Sequence, residues 1–150
     1  MSRKGIYFLL ALLFAFAASS KNLDSLYISL SKNAKQDTNR FWNYFYIALE
    51  LNTGGNFDKS TAYLDSAQQL AMKLKFKKGY ARALNGKAIN AMQMAHFEEA
   101  ITHLHNSYKI LLEIKDTRGE ATALLNMGNI YFYMGDQDQS LDCFRKSCGI

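Results

Sequence analysis

The sequence predicts an all-α fold, an α-solenoid of antiparallel helical hairpins, and three observations predict it. Proline is absent from all 150 residues, which removes the usual helix breaker. Hydrophobic residues make up 49% of the chain, enough to bury a core, and the abundant Ala, Leu, Lys, Met and Gln favour helices. The sequence also repeats at a fixed period of 40. Gly55, Ala95 and Gly135 form one set, Leu64, Leu104 and Phe144 a second, and Ala67, Ser107 and Ser147 a third. Ser60, Ala100 and Ser140 follow, then Ala48, Ala88 and Gly128. A fixed period of this size is the mark of stacked supersecondary units, each burying its apolar face against the next.

The first element is residues 1–20. Ser2-Arg3-Lys4 is a short basic start, Ile6 to Ala18 is an uncharged apolar run, and Ala15-Phe16-Ala17 and Ala18-Ser19-Ser20 offer small residues at a cleavage site. This is the three-part pattern of a secretory signal peptide. The run is short for a membrane anchor across a hydrocarbon core of about 30 Å. Residues 21–36 follow as a capping helix, with Leu23, Leu26, Tyr27 and Leu30 on one stripe.

Three hairpins occupy 37–78, 79–118 and 119–150. In the second, helix A is expected over about Gly79 to Met94, the turn at Ala95-His96, and helix B over about Phe97 to Ile114. Ala100, Ile101, Leu104, Tyr108, Leu111 and Leu112 recur at helical spacing as a core-facing stripe. Ala88 and Ala100 let the paired backbones approach. Gly55 and Gly135 suit left-handed helix caps, with Asp58 and Asp136 near the next N-terminus. A repeat opening at Gly119 would close at residue 158, so the third hairpin is expected to be incomplete. Leu125, Phe132 and Leu141 should then be partly exposed and favour self-association. Gly149 is the best argument for a natural helix end.

These residues resemble the tetratricopeptide repeat, whose pattern sets a bulky residue, Leu, Gly and Tyr on helix A, then Ala, Phe and Ala on helix B. The third copy reads Leu124, Met127, Gly128, Tyr131, then Ser140, Phe144 and Ser147. The second reads Leu84, Lys87, Ala88, Ala91, then Ala100, Leu104 and Ser107, and the first Tyr44, Ile47, Ala48, Leu51, then Ser60, Leu64 and Ala67. The resemblance covers residues 38 to 150. It departs from the usual repeat of about 34 residues and from its closing proline, and so looks like the long-repeat variants of bacterial signalling proteins and kinesin light chains. It implies a right-handed superhelix in which helix A lines a concave ligand groove. Leu23-Asp24-Ser25-Leu26 with Asp37-Thr38-Asn39-Arg40 looks like the start of periplasmic sensor regions of bacterial kinases and regulators.

No constellation for catalysis stands out, and the chain is not expected to be an enzyme. His96, His103 and His105 lack the shared face and third ligand that zinc needs, so no metal is expected. Cys143 and Cys148 point about 140° apart on one helix, a poor disulfide geometry. Gly54-Gly55 has no following Lys-Ser/Thr and is a turn rather than a phosphate cradle. Glu98 and Glu99 suit a helix N-terminus. The run Met72 to Lys78 reads as a helix C-terminus whose lysines neutralise the dipole. Without Arg3 and Lys4 the net charge falls from +5 to a mild +3, so nucleic acid is not an expected partner. Nor is a membrane beyond the export signal, and no cofactor is expected.

The partner is expected to be another protein or peptide, held in the groove. The phase of helix A puts Trp42, Phe45 and Leu49 there in copy one, and Arg82, Asn85, Ile89 and Gln93 in copy two. Thr122, Leu125, Asn129 and Tyr133 complete it in copy three, with Asn126 placed to hold a backbone or a bound peptide. The aromatic run Phe41 to Tyr46 carries two readings, interface anchors or packing against the capping helix. Tyr44 and Phe41 fall to the core by phase. A carboxylate clamp like that of chaperone-tail binders would need Lys where Phe45, Asn85 and Leu125 stand. The resulting expectation is a peptide-binding scaffold exported to the bacterial envelope, periplasmic or secreted. The alternative is the sensor-region fragment of a larger signalling protein, a histidine kinase or transcriptional regulator.

Overall fold

The computed structural model describes residues 22–32 and 34–150, and all regular structure among them is helical. Helix α1 covers 22–32. It is followed by α2 (Thr38–Thr53), α3 (Phe57–Lys73), α4 (Lys77–Gln93), α5 (Phe97–Glu113), α6 (Thr117–Met134) and α7 (Gln137–Cys148). The expected signal peptide, 1–20, lies outside the described residues. Among those described, no helix is long and apolar enough to cross a membrane.

One local device terminates five successive helices. Gly55, Lys75, Ala95, Lys115 and Gly135, twenty residues apart, all have positive φ, between 53° and 81°. At each, the left-handed residue donates its N–H three residues back and its successor donates five back, as in Gly55 to Asn52 and Asn56 to Leu51 at 2.9 and 2.8 Å. This is the Schellman arrangement, which satisfies orphan carbonyls at a helix end. The successor residue is then the N-cap of the next helix, so four of these links have three residues between helices, such as 54–56, and the last has two, Gly135 and Asp136. Gly55 and Gly135 behave as expected; the same conformation at Lys75, Ala95 and Lys115 was not signalled by glycine. Asp136 caps α7 by accepting from the Gln139 amide, whereas Asp58 lies inside the first turn of α3. Gly149 ends α7 at φ −87°, without a left-handed turn.

Small residues set the hairpin spacing. A Cβ on Gly128 would meet Phe144 Cε1 at 2.5 Å, and one on Gly86 would meet Leu64 Cδ2 at 2.8 Å. The serines on the B helices bond across to helix A carbonyls. Ser60 donates to Ala48 O at 2.7 Å and Ser140 to Gly128 O at 2.9 Å; Ser107 donates to Ala81 O at 2.9 Å and Ser147 to Ala121 O at 3.0 Å. Two apolar clusters result. One gathers Phe41, Phe45, Ala48, Leu64 and Leu70, the other Leu104, Leu111, Leu124, Met127 and Ile130.

Helix α1 lies antiparallel to α2, with Asn22 bonded to Glu50, Asn43 to Ser29 at 3.2 Å, and the Tyr27 ring 6.0 Å from Tyr63. It thus packs against both helices of the first hairpin.

Three expectations are corrected. The A helix of the second copy begins at Lys77 rather than Gly79, because Phe76 already serves as its N-cap. The basic run 72–78 therefore straddles a turn: Lys73 closes α3, while Lys77 and Lys78 open α4, where the helix dipole opposes them. In the aromatic run, Phe45 is buried, at 8% exposure, and Tyr44 is only half-buried. Phe45 stacks on Phe41 at 6.0 Å inside the first cluster, while Tyr44 keeps its hydroxyl at the rim, taking a bond from Arg40 Nε at 3.1 Å.

Candidate binding groove

The curvature of the stack follows from which helices touch. Helix α2 touches α4 and α4 touches α6, whereas α3 and α5, like α5 and α7, do not meet. The A helices converge and the B helices splay, so the A side is concave. Of the expected groove residues, Arg82, Gln93, Thr122, Leu125, Asn129 and Tyr133 are exposed, as is Leu49, while Trp42, Asn85, Ile89 and Asn126 are half-buried. Phe45 is withdrawn into the core, so it backs the groove rather than lining it.

The groove changes character along its length. At the first junction Trp42 stacks on Tyr46 at 5.7 Å, meets Phe45 and Phe76 edge-on, and carries the Arg82 guanidinium 5.4 Å above its ring. Trp42 thus faces the second hairpin, not the capping helix. In the middle, Asn126 donates to Asn85 Oδ1 at 2.9 Å, tying α6 to α4. That bond occupies the amide expected to hold a ligand. At the far end Tyr133 stacks on Phe97 at 6.4 Å.

A cavity of about 390 Å³ opens between α4, α5 and α6, lined by Lys78, Ala81, Arg82, Asn85, Ser107, Leu111, Asp116, Arg118, Gly119 and Thr122. It joins three expected groove residues, Arg82, Asn85 and Thr122, to others not foreseen. Asp116 is the N-cap of α6. It receives the Lys78 ammonium at 2.9 Å and the Gly119 amide at 3.2 Å. The Lys78 hydrogen bond, outweighing burial and helped by the Gly119 amide and the charges of Lys78 and Arg82, holds the Asp116 carboxyl below its ordinary value. Lys78 and Arg118 stand 40 residues from Thr38 and Lys78, and that alignment of helix A starts is the signal that would have found them.

Elsewhere, His103 is half-buried, with Nε2 3.5 Å from Glu99. Cys143 is buried and Cys148 exposed, and both are free thiols. No group of three His, Cys, Asp or Glu among the described residues is arranged to hold a metal ion.

Comparison with known proteins agrees with the helical-hairpin fold. No curated protein matches the chain. Among solved structures it is similar to BtubC (BKLC) from P. vanneervenii, with a TM-score of 0.77 and 17% identity over 95% of this chain. The chain spans 61% of the length of that protein. Residues 79–150 match the tetratricopeptide repeat family, and α2 and α3 continue the same hairpin architecture ahead of them, so the chain carries tetratricopeptide repeats over 79–150.

Proposed function

We propose that the chain is an exported protein-interaction scaffold whose concave face holds an extended segment of another protein. The observation that carries the reading is the inner surface of α2, α4 and α6. It sets Leu49, Leu125 and Tyr133, at 39%, 44% and 64% exposure, beside the polar Arg82, Asn85, Thr122 and Asn129. Apolar and aromatic side chains held open between hydrogen-bonding groups on rigid helices are the composition of an interface core. Peptides selected on the wild-type protein from a random display library test it. Clones that bind the wild type should lose binding to the Asn129→Ala, Tyr133→Ala double variant, with the helical circular dichroism unchanged. Clones indifferent to both substitutions and to Leu49→Ala would move the interface off the concave face.

The N-terminal pattern at residues 2–20 supports export to the envelope. Fractionation of expressing cells, with N-terminal sequencing of the product, tests it: a chain beginning near Lys21 in the exported fraction is expected, and an intact Met1 in the cytosol would refute it. Leu125, Phe132 and Leu141, at 44%, 64% and 52% exposure, support self-association through the last hairpin. Sedimentation at micromolar concentration decides that point, and a monomer at every concentration would remove it.

A further inference from the structure

The 390 Å³ cavity exists because the second inter-hairpin junction departs from the first. Forty residues before Ala81, Arg82 and Asp116 stand Phe41, Trp42 and Phe76. Those aromatics fill the corresponding space, with Phe41 and Phe76 packed edge-on at 5.2 Å and Trp42 and Phe76 at 6.2 Å. At the second junction one ring has become a methyl group, one a guanidinium and one a carboxylate, and the cleft stays open. Gly119 and Ser107 contribute to the lining, and Ser107 donates to Ala81 O at 2.9 Å.

The walls are cationic. Lys78, Arg82 and Arg118 face one acid, Asp116, which is engaged by Lys78 and by the α6 amide. Among the described residues neither arginine has a carboxylate within salt-bridge distance. Helix stability does not explain the cations. Lys78 and Arg118 sit in the first turns of α4 and α6, where the positive end of the helix dipole disfavours them. Lys78 is compensated by its bond to Asp116, whereas Arg118 breaks the local rule without such a gain, as residues at functional sites do. Asn85 and Thr122, on the A helices α4 and α6, add neutral hydrogen-bonding groups to the lining.

We propose that this cavity is an anion-reading subsite of the groove, where Arg82 and Arg118 take a carboxylate side chain of an extended acidic peptide. The proposal rests on the groove reading given above and specifies its ligand. The carboxylate enters beside Asp116 without displacing it, because Lys78 neutralises that acid and two guanidiniums remain. Paired arginines suit a carboxylate, since the planar fork donates two parallel bonds. The positions differ from those of a carboxylate clamp, which would fall at Phe45, Asn85 and Leu125.

Labelled octapeptides (Gly-Glu)4 and (Gly-Gln)4, titrated into the full chain by fluorescence anisotropy and by amide NMR shifts, test it. The acidic peptide should bind saturably and shift Arg118, Gly119 and Thr122. The Arg82→Gln, Arg118→Gln variant should bind it about ten-fold or more weakly. Lys109→Gln, an exposed charge on α5, should leave it unchanged. Equal binding of both peptides, with shifts at Leu49 and Asn129 but none in the cavity, would overturn the anion subsite and leave the groove standing. No shift on any helix A residue at millimolar peptide would overturn both. Competition by inorganic phosphate at lower concentration than the acidic peptide would make the ligand a phosphate and overturn the carboxylate.

Discussion

Asn52 Nδ2 donates to Asn90 Oδ1 at 2.7 Å, joining the end of α2 to the interior of α4 across the first junction. Asn90 is 1% exposed, and its own amide donates to Ser60 Oγ and Thr61 Oγ1 at 2.9 Å and to Phe57 O at 3.3 Å. One side chain thus satisfies polar groups from α2 and α3 inside an apolar contact. Forty residues on, the same place is held by buried Ile130. Buried polar groups stripped of a partner cost about 1–3 kcal/mol each. Asn90→Ala should therefore lower the stability of the first junction by at least that amount, measured by urea unfolding. An unchanged midpoint would show that water replaces the network.

The three left-handed residues that are not glycine yield an opposite expectation. Lys75, Ala95 and Lys115 hold φ of 53°, 60° and 56°, where a Cβ is disfavoured. Replacing each with Gly should stabilise the chain by about 0.5–1 kcal/mol, the relief at the cap exceeding the added freedom of the unfolded chain. Gly135→Val should destabilise it. Thermal melts of the single and triple variants check the sign and additivity.

The hairpins were legible in the sequence because their signals are periodic. Gly55 and Gly135, Leu64 and Leu104, Ala88 and Ala100 each do what spacing alone requires. The left-handed turns at Lys75 and Lys115 were hidden because backbone hydrogen bonding imposes that conformation without naming a residue type. Phe45 was misread for a related reason: helix phase gives the direction of a side chain but not what stands there, and α4 stands over it. That Trp42, Arg82 and Thr122 stay out of the buried core was legible from phase alone. The cavity was not, because it depends on comparing Ala81 with Phe41 and Asp116 with Phe76, two junctions rather than one helix.

His103 should make stability depend on pH. Burial, and next the charge of Lys87, hold its imidazole below the ordinary 6.5, against the opposing pull of Glu99 and Asp65. The unfolded chain then takes up this proton at a higher pH than the folded one. The contribution is fully present above about pH 6.5 and is lost as pH falls through the depressed folded value. His103→Gln should flatten the decline in unfolding free energy between pH 7.5 and 5. An unchanged slope would assign the decline to other groups.

Gly128 sets the closest approach of α6 and α7. An added Cβ would lie 2.5 and 2.7 Å from Phe144 Cε1 and Cδ1, and Phe144 is the bulky residue of the last B helix. The carbonyl of Gly128 also receives the Ser140 hydroxyl at 2.9 Å, which pins the two helices together at that level. The pair cannot separate by the width of a side chain without breaking that bond and withdrawing Cys143 and Met127 from their shared cluster. Phe144 must therefore turn out of its position instead. Overpacking of this kind costs about 1–3 kcal/mol. Gly128→Leu should lower the melting midpoint accordingly, while Gly128→Leu with Phe144→Ala should recover part of the loss, because the smaller side chain vacates the space the leucine enters. Melts of the two single variants and the double variant decide it, and additive losses would show that the helices part rather than the ring.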